Sequence, residues 1–180
     1  MRNTYIERFD LYKMSDVKQR CTNFMYVQQL KYLKLSIDEI YQRLTDDKDV
    51  KDFGLIVHDK DVKDDNPLEL AEKHLHAFIS FKQHKSLHYV AKLVDDEENR
   101  IDFFNRQNVP DKDERNGFLY LLHRTKSSVY KHQYSVDELI LPPNSDLKKR
   151  IKKWEKNYQN FLRRTSDNKR KHVVKQHLES

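Results

Sequence analysis

A chain of 180 residues suffices for one compact domain and an accessory segment, not for two full-sized domains. It has two glycines, Gly54 and Gly117, and one cysteine, Cys21, which excludes glycine-cluster phosphate loops, internal disulfides and zinc sites built from several thiolates. Lys and Arg number 35 against 29 Asp and Glu, a net charge of +6, and the absence of an 18-residue apolar run or an N-terminal signal core points to a cytoplasmic protein with nucleic acid as a plausible partner.

In chain order, residues 1–20 form a polar lead-in with a few apolar anchors. Residues 21–29, CTNFMYVQQ, favour a strand. Ser36 and Glu39 have capping-box spacing and open a helix through Ile37, Ile40, Tyr41 and Leu44, which ends in the acidic stretch at Asp46, Asp47 and Asp49. Phe53 to Val57 is a short apolar run, expected as a buried strand. Residues 59–73 contain Pro67 and read as a loop. HLHAFISF, residues 74–81, is a third strand, followed by a helix over 86–94, a charged turn, and a strand over 100–104. Asp111 and Glu114 repeat the capping-box spacing and open a helix to about Arg124, with Phe118, Leu119 and Leu122 on its core face. The fold class is α+β: a sheet with helices, expected on one side of it. Pro142, Pro143 and Asn144 separate this domain, 21–141, from a basic helical tail, 145–180, in which Leu147, Ile151, Trp154, Tyr158 and Phe161 make an apolar seam ending near Arg164. That seam either docks on the parent domain or pairs with a second chain.

The tail holds eight Lys and four Arg against two Asp and two Glu, a net of +8, so residues 1–144 carry −2. The basicity of the chain is a property of its tail.

Three groups of residues carry chemistry. On a strand, His74 and His76 share a face roughly 7 Å apart, opposite Leu75, Ala77, Ile79 and Phe81, and two adjacent imidazoles suit a metal ion. His58 and Asp61 follow the Phe53–Val57 strand directly, with Asp59 as the alternative carboxylate. Imidazoles with a carboxylate favour manganese, with magnesium as the second choice. Tyr120 is expected on the polar side of its helix, sharing a face with Asn116 and His123 at i, i+4 and i+7 spacing. A phenol, with a pKa of about 10, is a weak nucleophile at neutral pH. A metal bound to the attacked phosphate would make phosphorus more electrophilic and let the phenolate form a phosphotyrosine. A core-rim tyrosine and incidental histidines are the alternative reading, that of a non-enzymatic basic protein binding DNA or a protein partner.

His58-Asp59-Lys60-Asp61, His74-Leu75-His76 and Tyr120-Leu121-Leu122-His123, with Lys131-His132-Gln133-Tyr134 beyond them, resemble the ordered motifs of plasmid rolling-circle replication initiators. These belong to the His-hydrophobic-His endonuclease superfamily. The resemblance covers roughly residues 20–140. It implies an antiparallel sheet with helices packed on it, in a ferredoxin-like or RRM-like core. It implies His58, Asp61, His74 and His76 as metal ligands and Tyr120 as nucleophile. The activity it implies is nicking one strand of origin DNA to leave a 5′-phosphotyrosine and a 3′-hydroxyl primer, with strand transfer and religation resembling a topoisomerase. Origin DNA and host helicase and polymerase would be the partners, with self-association through the tail as a further contact. Arg124, Lys126 and Lys131 are candidates for holding phosphates, or else belong to a solvated loop. The motif has Leu75 where the family often has an aromatic, and the tail is unlike the family's oligomerisation domains. With a single motif tyrosine, a second strand transfer would need another subunit or a water activated by a carboxylate, for which Glu114 is the candidate. Histidine-triad hydrolases are excluded by Phe78 at the third alternate position, and His-x-His amidohydrolases by the length of their barrel.

Overall fold

The computed structural model describes residues 20–63, 66, 68–104, 110–125, 128 and 130–178, with side chains described except at 110–113, 161 and 165–178. All but the last residue of the lead-in 1–20 lies outside this set, as does Lys126. The elements are β1 (Cys21–Gln29), α1 (Ile37–Asp46), β2 (Val50–His58), β3 (His74–Lys85), α2 (Leu87–Val94), β4 (Ile101–Phe103), α3 (Pro110–Leu121) and α4 (Leu147–Leu178), with short 3-10 turns at Leu30–Tyr32, Glu98–Arg100 and Val136–Glu138. The four strands form one sheet in the order β2-β3-β1-β4, and each neighbouring pair is antiparallel.

The capping box at α1 forms as its spacing predicts: Glu39 N donates to Ser36 Oγ at 3.2 Å, and Ser36 N donates to Glu39 Oε2 at 2.7 Å. Ile40 and Leu44 then face the sheet. One face of the sheet, with Phe24, Tyr26, Phe53, Leu55, Leu75, Ala77, Ile79 and Phe81, packs against α1 and α2. The other face, with Met25, Ile56 and Phe78, packs against α3, the 134–139 segment and the start of α4. Helices therefore cover both faces, not one. The reason lies in the continuous apolar run Phe53–Val57, since a strand apolar on every residue has both faces to bury. The outer edge of β2 is covered as well, because Leu55 and Ile140 exchange two backbone hydrogen bonds of 2.9 Å.

Four boundaries differ from expectation by three residues or more. β2 begins at Val50, where Lys51 and Asp52 hide a strand that reads as polar, and β3 continues through the exposed residues to Lys85. α3 ends at Leu121, three residues early. α4 runs to Leu178, well past Arg164. Its first turns dock: Leu147 and Ile151 are buried beside Phe118, and Trp154 stacks on Phe118 at 6.2 Å between ring centroids. Arg150 bonds to Asp52 of β2 and Glu114 of α3, both at 3.0 Å. Both glycines lie at the contact between α3 and the sheet. Gly54 faces Phe118 and Leu121, and Gly117 brings the helix backbone against the Phe78 ring.

Candidate metal centre and nucleophile

Strand register assembles the site. His58, the last residue of β2, pairs with His74, the first of β3, and Ile56 pairs with His76. Alternation puts all three imidazoles on the face covered by α3. Their ring centroids lie 4.3 Å (His58–His76), 4.9 Å (His74–His76) and 5.5 Å (His58–His74) apart. Ligand atoms of the three lie within 4.8 Å of one another.

Asp61 turns back under this pair of strand ends, held by Ala71 N donating to its carbonyl at 2.8 Å. It is 6% exposed, a carboxylate buried among imidazoles. Its oxygens lie 3.5 Å from His58 Nδ1, 3.8 Å from His74 Nε2 and 3.6 Å from His123 Nδ1. Asp61, rather than Asp59, is thus the carboxylate that the fold brings to the histidines.

His123 was not anticipated as part of this cluster, yet His58, Asp61 and His123 make a second set of ligand atoms within 4.8 Å. Its expected place beside Asn116 and Tyr120 on a helix face does not hold, because the helix has already ended. Arg124 N donates to Leu119 O at 2.8 Å and His123 N to Tyr120 O at 3.0 Å. This is a Schellman turn with His123 in the left-handed position, at φ 58°. A non-glycine residue there carries about 1 kcal/mol of strain. The turn sends the imidazole inward instead of along the helix.

Backbone carbonyls fix the ring tautomers. His58 Nε2–H donates to Leu121 O at 2.8 Å, His74 Nδ1–H to Glu72 O at 2.7 Å and His123 Nδ1–H to His132 O at 2.6 Å. Each ring keeps its other nitrogen as a lone pair, the arrangement by which outer carbonyls prepare histidines as ligands. Burial also holds three of the rings, His58, His76 and His123, neutral. It pushes His58 down to about 4, against the opposing effects of the Leu121 carbonyl and Asp61. His76 is also held well below its ordinary value, by burial and then by the neighbouring imidazoles, and His123 is lowered by burial despite the His132 carbonyl. His58 Nδ1, His76 Nδ1 and Asp61 Oδ1 are buried with no hydrogen-bond partner. Three neutral imidazoles and a carboxylate, with orphaned acceptors, fit a divalent transition metal.

Tyr134 supports the cluster from the side, another residue whose role sequence reasoning missed. Its ring stacks on His58 at 4.5 Å and 8° between planes, and its hydroxyl accepts from Lys60 N at 3.0 Å. Gln133 Nε2 donates to His123 O at 2.9 Å. The Lys131–Tyr134 stretch singled out in the sequence is therefore a brace for His58 and His123.

Tyr120, on the last turn of α3, is half-buried at the rim of the cluster, its ring 6.2 Å from His76 and 6.4 Å from Phe104. The proposed phosphate contacts differ in what they can offer. Lys131 is half-buried and close enough for its charge to help lower His76 and His123. Arg124 bonds through Nε to Glu155 at 2.9 Å, and its two terminal nitrogens bond to Gln133 and to the Tyr134 carbonyl. Its guanidinium is therefore largely committed within the protein. Glu114 is not placed to activate a water. It lies near the far end of α3, buried and bonded to Lys51 and Arg150. Those partners hold its carboxyl below the usual range even though burial alone would raise it.

A family model described as plasmid replication protein, origin binding domain, matches residues 16–148. The chain belongs to this family. It is a plasmid replication initiator whose matched domain binds origin DNA. The match takes in all of the cluster and Tyr120, and stops at the second residue of α4. No curated protein matches the chain. Among the described residues, no helix is long and apolar enough to cross a membrane.

Proposed function

We propose that this initiator nicks one strand of its origin by attack of Tyr120 on a phosphodiester beside a divalent metal held by His58, Asp61, His74 and His76. The observation that carries the reading is a half-exposed tyrosine at the rim of a buried imidazole–carboxylate cluster. A bound manganese ion would supply Lewis acidity to the scissile phosphate. The residues do the rest. The carbonyls of Leu121, Glu72 and His132 hold three rings in ligand tautomers, and Tyr134 fixes the plane of His58. The α3 helix sets the phenol beside His76, and Lys131 offers positive charge next to the phosphate.

Tyr120 Oη loses its proton and forms a bond to phosphorus as the bond from phosphorus to the 3′ oxygen breaks. The departing oxygen takes up a proton and leaves as a 3′-hydroxyl, while the 5′-phosphate stays on the tyrosine. The reverse reaction closes the strand. In this reading the protein works in the bacterial cytoplasm, where a host polymerase and helicase extend the free 3′ end.

The test incubates the full chain with manganese and a labelled single-stranded origin oligonucleotide. A covalent adduct mapped to Tyr120 is expected, lost in Tyr120→Phe while duplex binding survives. Nicking that persists in Tyr120→Phe, or metal-dependent cleavage that persists in His74→Ala/His76→Ala, would refute the assignment. A protein that binds the origin and never cleaves it would be a binding module alone.

A further inference from the structure

We propose that the solvent-facing side of α4 is a docking surface for the backbone of duplex DNA flanking the nick site. Lys149, Lys153, Lys156, Arg163 and Arg164 are all exposed. At 100° per residue they fall within an arc of about 100°, opposite the face through which Leu147, Ile151 and Trp154 dock. None of the five is in an ion pair with a carboxylate among the described residues. The basic residues flanking them differ: Lys148 and Lys152 both pair with Asp137, and Arg150 is held by Asp52 and Glu114. The stripe is thus unneutralised charge in a chain whose first 144 residues carry a net −2.

The direction of α4 gives the stripe its place. Arg150 meets Glu114, Trp154 meets Phe118, and Glu155 meets Arg124. The helix therefore runs in the same sense as α3: Glu155 already lies beside Arg124, in the turn after Tyr120, and the rest of α4 continues beyond that end of α3. From Lys149 to Arg164 the stripe is about 22 Å long. That length matches about six phosphates along one strand of a duplex. Almost all of α4 lies beyond the residues matched by the origin-binding family, so this is an additional contact. The inference rests on origin binding and not on the nicking chemistry.

The test compares the full chain with a variant in which all five residues are Gln, a helix former close to Lys and Arg. Affinity for an origin duplex is measured by fluorescence anisotropy with a chelator present, so that no cleavage intervenes, from 50 to 200 mM salt. Five lost phosphate contacts should reduce the slope of log affinity against log salt by about 4 to 5. The wild-type protein should then lose about 500-fold more affinity than the variant across that range. Arg163→Gln/Arg164→Gln alone should reduce the slope by about 2. Lys148→Gln/Lys152→Gln, whose charges are already paired, should change it little. An unchanged slope in a variant with wild-type circular dichroism would overturn the proposal. So would a changed sedimentation coefficient, which would assign the stripe to self-association. If the nicking assignment fails, both proteins are equally inactive on oligonucleotides and the salt slopes still decide this one.

Discussion

Gly117→Ala tests whether α3 is seated on the sheet as tightly as the backbone indicates. A Cβ at residue 117 would lie 2.1 Å from Phe78 Cε2 and 2.4 Å from Cδ2 and Cζ. Carbon atoms in contact sit about 3.5–4.0 Å apart, so the overlap exceeds 1 Å by this measure. The Phe78 ring cannot swing aside. It is buried, with Phe118 edge-on at 4.9 Å and Phe104 at 5.3 Å. Either the helix lifts or the core repacks, at a cost of about 1–3 kcal/mol or more. Alanine returns about 1 kcal/mol through its helix propensity. An overlap this deep puts the cost at the upper end of that range, so a net loss of about 2 kcal/mol remains, which lowers Tm by about 4–8 °C for a chain of this size. Tyr120 lies three residues further along the same helix, and a displacement of about 1 Å costs about 100-fold in rate. Thermal melting and the nicking rate on a short oligonucleotide measure both effects. Adding Phe78→Leu should recover part of each, because it removes the clashing atoms. Gly54→Ala, whose nearest contacts are 3.0 and 3.1 Å, should be milder. A Gly117→Ala protein as stable as wild type, or more so, would show that helix propensity alone governs this position.

Acid should unfold the metal-free protein earlier than its carboxylates require. His58 titrates at about 4 when folded, against about 6.5 unfolded. The unfolded chain therefore takes the proton first, and stability present above about pH 6.5 is lost as pH falls toward 4, by about 3 kcal/mol from this one ring. His76 and His123 shift in the same direction. Urea unfolding with a chelator at pH 7.5, 5.5 and 4.5 reads the loss, and a flat profile would mean that the rings are not held neutral by burial. Tyr134→Ala should cost about 3–5 kcal/mol by opening a cavity and weaken manganese affinity about 10–100-fold by releasing His58. Tyr134→Phe keeps the stack and should retain that affinity. Calorimetric titration separates the two, and equal losses would mean that the hydroxyl matters and the stack does not.

The parts of this site that were legible in the sequence are those governed by strand alternation. His74 and His76 share a face because residues two apart must, and Leu75, Ala77 and Ile79 lie opposite in the core. His58 joins them because the Phe53–Val57 run ends just before it and that strand pairs with β3 in register. The capping box at Ser36 and Glu39 fixed the start of α1 for a similarly local reason. The end of α3 had no such mark. No glycine or proline follows it, Leu122 continues the apolar pattern, and the left-handed turn is made by a histidine. His123 was thus assigned to a helix face when it belongs to the cluster. Asp52 and Glu114 are buried against Arg150, which stands 98 residues from Asp52 in sequence. No local pattern records that pairing.

The same network explains why the basic tail cannot be studied by cutting it away at residue 145. Leu147 and Ile151 fill the core beside Phe118, so their removal would open a cavity directly above the sheet face that holds the histidines. Loss of Arg150 would leave Asp52 with no cation of its own and facing Glu114, which keeps only Lys51, in a setting where burial already raises Asp52. A truncated protein would therefore lose nicking and duplex binding together, and the result would report on folding alone. The anchoring residues and the exposed cations occupy opposite sides of one helix. Substituting only the outer side is the perturbation that separates how this helix is held from what it holds.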